Sequence, residues 1–282
     1  MKKKIIVANW KMNNAFDEAD IWLENFFKKF SENKMALANV EAVVCPPVFL
    51  IDYIDSQLLD NSFAGLEKIM QEQNKKIDDF SEEELMDVVS AERPFLLGAQ
   101  DCHYENSGSF TGDISAEMLK KTGADYVILG HSERRENHFE TDDVVARKAT
   151  AAMTQNLTPI ICVGENKESR DSQRHLEFVY KQLLLSLPKE VKFSRLIIAY
   201  EPIWSIGTGV VPTTEQIREM AKLIRKIATE KMKDLADEVF VLYGGSVNAE
   251  NAQEILAIEN VDGLLVGKAS LDADGFVKIC LA

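Results

Sequence analysis

Polar residues collect at the ends of short apolar runs in this chain, where turn-formers would suffice for a purely structural protein. Asn9 and Lys11 close the first run, Gln100 the third, and His131 with Glu133 the fourth. Glu165, Glu201, Ser246 and Gly267 close the last four. A carboxylate, an imidazole and an ammonium are the groups from which acid–base chemistry is assembled. The sharpest case is AYEPIWSIGTG at 199–209, where Leu196-Ile197-Ile198-Ala199 leads up to Glu201. A charge at the mouth of a buried strand costs desolvation unless something uses it. Pro202 turns the chain sharply just beyond the charge, which argues against a simple salt-bridged core carboxylate.

The other candidates need their neighbours. Lys11 stands out from solvated surface lysines only by its place after a strand in an acidic chain. An isolated histidine is ordinarily a hydrogen-bonded structural residue; His131 gains from Ser132 behind it, an N-cap residue type followed by Glu133-Arg134-Arg135. An imidazole at a helix N-terminus feels the positive end of the dipole, which favours its neutral form and a role as hydrogen-bond donor. His131 and His138 lack metal-ligand spacing and a carboxylate partner, so a metal reading is set aside. Gly244-Gly245-Ser246 and Gly267 end consecutive late runs, and small residues there let backbone N–H groups approach an anion.

Eight apolar runs supply these positions: 4–10, 41–47, 94–100, 126–132, 158–165, 195–202, 239–246 and 262–269. Each has the length and β-branched content of a parallel strand covered on both faces. Helical spacing predicts helices between them, among them Phe16 to Phe30, Val48 to Leu59, Asp142 to Asn156, Gln173 to Leu185 and Thr213 to Met232. The last opens on a capping box, Thr213-Thr214-Glu215-Gln216. Eight alternations predict an α/β fold, a single (β/α)8 barrel over 1–282, and the glycine fingerprint of the rival doubly wound sheet is missing after the first strand. Residues 61–93 break the rhythm as a helical insertion between the second helix and the third strand. They carry nine acidic and four basic residues and belong to the N-terminal face, away from the chemistry.

The chain's 282 residues are 46% hydrophobic and 28% charged, a globular profile, with a net charge of −14 that opposes nucleic acid and anionic membranes. An anionic substrate therefore needs local positive groups. Four scattered cysteines fit a reducing compartment, no apolar stretch is long enough for a membrane span, and the N-terminal run is expected to be a strand rather than a signal peptide. A cytoplasmic location is expected.

NWKMN (9–13), GAQD (98–101), SFTGDIS (109–115), GHSERR (130–135), CVGE (162–165), AYEPIWSIGTG and YGGSV (243–247) resemble the triosephosphate isomerase family. They stand in the family's order, span nearly the whole chain outside 61–93, and include two highly specific motifs, GHSERR and YEPIWSIGTG. The resemblance implies interconversion of dihydroxyacetone phosphate and glyceraldehyde 3-phosphate through an enediolate. It implies Glu201 as base, His131 as neutral electrophile and Lys11 as oxyanion-stabilising cation; this pairing of base and neutral imidazole is an established property of that family. It further implies substrate contacts from Asn9, Gly207, Ser246, Gly267 and Lys268, largely backbone N–H at the phosphate, with Glu133 supporting Lys11. Residues 202–211 would form a lid. No metal or organic cofactor is implied. Residues 101–115 form a long aperiodic loop, and the resemblance implies that it reaches a second subunit in a homodimer, with Thr111 at its tip.

Three features depart from the family pattern. Lys268 stands where relatives usually carry a second glycine, Val210-Val211-Pro212 lacks the polar residues common at the far end of the lid, and 61–93 is extra. A catalytically retired barrel that binds partners through 61–93 is the competing reading, opposed by the intact Lys11, His131 and Glu201. Another sugar-phosphate isomerase on the same fold is a third.

Overall fold

Each of the eight apolar runs forms one strand of a closed parallel barrel. The computed structural model describes residues 3–189, 194–206 and 210–282. In chain order the strands are β1 (Lys4–Asn9), β2 (Val40–Cys45), β3 (Leu96–Ala99) and β4 (Tyr126–Leu129). They continue as β5 (Thr158–Val163), β6 (Leu196–Tyr200), β7 (Val239–Tyr243) and β8 (Gly263–Val266). Every strand pairs with its chain neighbours, and β1 closes the ring on β8 from Ile5↔Gly263 to Ala8↔Val266. Strands such as β7 are buried at every position. One set of their side chains, including Val7, Ile128, Ile197 and Leu242, fills the barrel interior. The alternate set meets the helices.

The helices follow the apolar spacing, with boundaries set by contacts. Helix α1 (Phe16–Leu37) runs beyond the predicted Phe30, through a break at Asn33. Its Trp22 stacks on Phe26 at 4.8 Å and meets Trp10 edge-on at 5.2 Å, tying α1 to the end of β1. Helix α2 (Ile51–Gln73) does not end near Leu59: it is continuous into the supposed insertion and stops at Asn74, whose φ of 50° is left-handed. The reason is that Ile54, Leu58, Ser62 and Leu66 continue one buried face at helical spacing. Helix α3 (Glu82–Glu92) follows, its start fixed by reciprocal Ser81–Glu84 bonds of 2.7 and 3.2 Å. It lies close on α2, since a Cβ at Gly65 would stand 2.8 Å from Glu92 Cγ. Residues 61–93 are thus half an extension of α2 and half a helix laid against it.

Short α4 (Ala116–Lys121) and α5 (Ser132–Asn137) flank β4, and α6 (Asp142–Thr154) precedes β5. After β5 come α7 (Lys167–Asp171) and α8 (His175–Ser186). Helix α9 (Thr214–Met232) carries the predicted Thr213–Gln216 capping box, and α10 (Ala252–Leu256) and α11 (Ala273–Cys280) complete the ring. Among the described residues no helix is long and apolar enough to cross a membrane.

Candidate active site

Lys11 sits just beyond β1 in the left-handed region, φ 55°. That conformation costs a non-glycine residue about 1 kcal/mol and persists only where its surroundings enforce it. Gln100 supplies part of the enforcement, its Nε2 donating to the carbonyls of Lys11 (2.8 Å) and Cys45 (3.0 Å). The Lys11 backbone N–H donates to Asn9 Oδ1 at 3.1 Å. The side chain then reaches Glu133 on α5, Nζ to Oε1 at 2.5 Å.

His131 ends the β4 connection and is itself the N-cap of α5. Sequence reasoning gave that place to Ser132. The cap lies one residue earlier because the imidazole Nδ1 accepts the Glu133 N–H at 3.2 Å, which leaves the Ser132 N–H free to donate to Glu201 Oε2 at 3.0 Å. His131 Nε2 meets Glu201 Oε1 at 2.9 Å. Nδ1 accepts a hydrogen bond, so the ring proton belongs to Nε2.

Glu201 follows β6 and is 2% exposed, His131 6%. Its backbone N–H donates to Val163 O at 2.8 Å. Two glycines make room for it: a Cβ at Gly164 would stand 1.7 Å from the Glu201 carbonyl oxygen, and one at Gly244 3.1 Å from Glu201 Cγ. Burial alone would raise the Glu201 pKa, but His131 and the Ser132 N–H outweigh it and hold the carboxyl below its ordinary value. Burial lowers the His131 pKa, and the adjacent Glu201 carboxylate more than offsets this, so the imidazole lies above its ordinary value in this arrangement. The Glu133 N–H on Nδ1 favours the singly protonated ring, against the pull of the Glu201 carboxylate and of the Glu133 carboxylate, whose Oε2 lies 3.6 Å from Nδ1. Protonating His131 requires breaking that bond.

Glu165, another strand-end carboxylate, serves a different place. It is fully buried and accepts from Tyr200 Oη (3.1 Å) and Trp204 Nε1 (2.7 Å), with Arg170 Nε at 3.2 Å. It therefore ties down the 3₁₀ turn Ile203–Ser205 at the start of the expected lid. Sequence reading marked Glu165 but not these partners, which come from two stretches of chain, Arg170 from one and Tyr200 with Trp204 from the other.

A cavity of about 670 Å³ opens above Glu201. Its lining includes Asn9, Lys11, His131, Glu133, Glu201, Ser246, Gly267 and Lys268. The ends of the paired strands β1 and β8 come close there, since a Cβ at Gly267 would lie 4.0 Å from Lys11 Nζ. Lys268 is not among the residues with left-handed backbone, so a side chain is accommodated there without that strain. Gly207 lies outside the described residues. Thr111 does not line this cavity; it is exposed on the 101–115 loop.

A carboxylate, an imidazole and an ammonium gathered at the C-terminal mouth of a (β/α)8 barrel define an acid–base barrel enzyme. The triosephosphate isomerase family model matches residues 4–76 and 80–282, running through most of the 61–93 segment. The chain belongs to the triosephosphate isomerase family. It is 51% identical over 281 residues to the triosephosphate isomerase of Afipia carboxidovorans, covering 99% of this chain and 97% of that one. The triosephosphate isomerase of Aquifex aeolicus is 37% identical, with 98% of each chain covered. Among solved structures, triosephosphate isomerase from Bartonella henselae superposes with a TM-score of 0.77 at 33% identity, covering 99% of this chain and 98% of that one.

Proposed function

We propose that this chain interconverts dihydroxyacetone phosphate and glyceraldehyde 3-phosphate, a step of glycolysis and gluconeogenesis, with Glu201, His131 and Lys11 as the catalytic groups. Glu201 removes a proton from the carbon beside the carbonyl, and the electron pair moves onto the carbonyl oxygen to give an enediolate. The same carboxyl returns the proton to the neighbouring carbon. His131, neutral and protonated at Nε2, donates to the oxygen that gains charge, while Lys11 stabilises that charge electrostatically. Asn9 contacts substrate, and Glu133 holds Lys11 in place. Gly207, Ser246, Gly267 and Lys268 contact the phosphate through backbone N–H groups.

In the ligand-free state Glu201 is parked against Ser132 N–H and His131 Nε2, which weakens it as a base. Turning toward substrate gives up the Ser132 bond, and closing 202–211 excludes water. Both changes raise its basicity. As the carboxylate turns away, the larger influence raising the His131 pKa weakens while that of the Glu133 carboxylate remains, and the Glu133 N–H on Nδ1 favours the neutral ring. Water exclusion also protects the enediolate from losing its phosphate.

We further propose a cytoplasmic homodimer formed through the 101–115 loop. A second hollow, about 350 Å³ and bordered by Asn9, Lys11, Met12 and His138, suits Thr111 of the partner subunit. Met12 is 96% exposed beside it.

The observation supporting the catalytic reading best is the meeting of Glu201, His131 and Lys11 in one cavity. A coupled assay converting glyceraldehyde 3-phosphate tests it. Wild-type protein is expected to turn over, and Glu201→Gln to lose about 10²–10⁴-fold in kcat while remaining folded. Near-normal turnover in that variant overturns the assignment of the base.

A further inference from the structure

The cavity assigned above to the triose phosphate is short of uncommitted positive charge. Its charged lining consists of Lys11, Glu133, Glu201 and Lys268. Lys11 is engaged with Glu133 at 2.5 Å, and Glu201 adds a further negative charge. The chain as a whole carries −14, a field that opposes entry of a dianion. Lys268 alone of the two lining lysines makes no ion pair among the described residues.

Its setting is a fixed base with an exposed arm. Lys268 opens the 3₁₀ turn Lys268–Leu271. Ser270 pins that turn: its N–H donates to Gly267 O at 2.9 Å, and its hydroxyl lies 2.8 Å from the same carbonyl. The fully buried Ser270 in turn accepts Trp22 Nε1–H on its carbonyl at 3.0 Å. The backbone beneath Lys268 is thereby anchored to α1, while the lysine itself is exposed at the cavity rim.

We propose that the Lys268 ammonium is a side-chain ligand of the substrate phosphate, a second cation that sets affinity for the dianion and leaves the proton transfer to Glu201. This rests on the reading that the cavity binds triose phosphate. The charge count explains why a lysine is useful here: it brings the lining from one net negative charge to neutrality before the dianion enters. A rim cation acts in ground state and transition state alike, so its effect falls on KM more than on kcat.

The test compares wild type, Lys268→Met and Lys268→Arg as full-length proteins, by steady-state turnover of glyceraldehyde 3-phosphate and by calorimetric titration with inorganic phosphate. For Lys268→Met we expect KM and the phosphate Kd to rise about fivefold, with a much smaller change in kcat. Its phosphate affinity should also depend less steeply on salt, and Lys268→Arg should recover most of the affinity. Unchanged KM and phosphate Kd in Lys268→Met, in a background where wild type is active, overturn the role of Lys268 and leave the proposed function standing. A fall in kcat with KM unchanged also overturns it. Failure of wild type to turn over triose phosphate counts instead against the proposed function, and the phosphate titration still decides whether Lys268 binds the anion.

Discussion

In the proposed reaction Glu201 is held in reserve until substrate binds. The Ser132 N–H and His131 Nε2 that stabilise its negative charge hold its pKa below the ordinary glutamate value despite near-complete burial. The sign of the stability effect follows: the carboxylate contributes stability above the unfolded-state glutamate pKa, and this is lost as pH falls through the lower folded value. Carbon-13 NMR of glutamate-labelled, ligand-free protein should therefore show Glu201 titrating below ordinary glutamates. Binding a phosphate ester that turns the carboxylate away from Ser132 should move it upward. A Glu201 titration at or above the ordinary range in free protein contradicts this picture. Glu201 itself was legible in the sequence, because an acidic residue ending a buried strand before proline has few structural uses. That His131 rather than Ser132 caps α5 was not, since either residue type can accept a backbone N–H and only the turn geometry selects between them.

At the scale of elements, the strands were the most readable feature, since two-sided burial demands uninterrupted apolar runs of strand length. Helix ends were less so. Nothing between Leu59 and Asn61 stops a helix, and the continuation of α2 depends on what its outer turns touch. The 101–115 loop shows the same limit: its motif was visible, its internal scaffolding was not. His103 stacks between Tyr104 and Phe110, each ring centroid 4.2 Å away, and Arg147 lies 3.5 Å from the Tyr104 ring centroid. At the loop base Lys148, 5% exposed, binds Asp101 at 2.7 Å and Glu140 at 2.6 Å, and Arg134 spans the same two carboxylates. Breaking one member of such a buried set typically costs about 3–5 kcal/mol. A loop held this firmly suits docking without an ordering penalty. Sedimentation equilibrium is expected to give twice the 31.7 kDa chain mass, and deletion of residues 106–111 to give monomer. A monomeric wild type rules out the proposed dimer.

At the scale of the molecule, barrel closure is what makes the site. Residues 190 positions apart, Lys11 and Glu201, line one cavity because every strand is parallel and presents its C-terminal end to one mouth. The segment at 61–93 packs through α2 and α3, and none of its described residues lines the cavity above Glu201. The net charge of −14 opposes anions in general, and in the proposed function Lys11 and Lys268 at the mouth offset it. The most direct measurement is a crystal structure with a phosphorylated two-carbon acid that mimics the enediolate. Its carboxylate is predicted to lie within hydrogen-bonding reach of Lys11 Nζ, His131 Nε2 and the Glu201 carboxyl, with its phosphate against Ser246 and Gly267. A mimic seated elsewhere on the barrel, or contacting none of those three groups, contradicts the convergence on which the proposed chemistry depends.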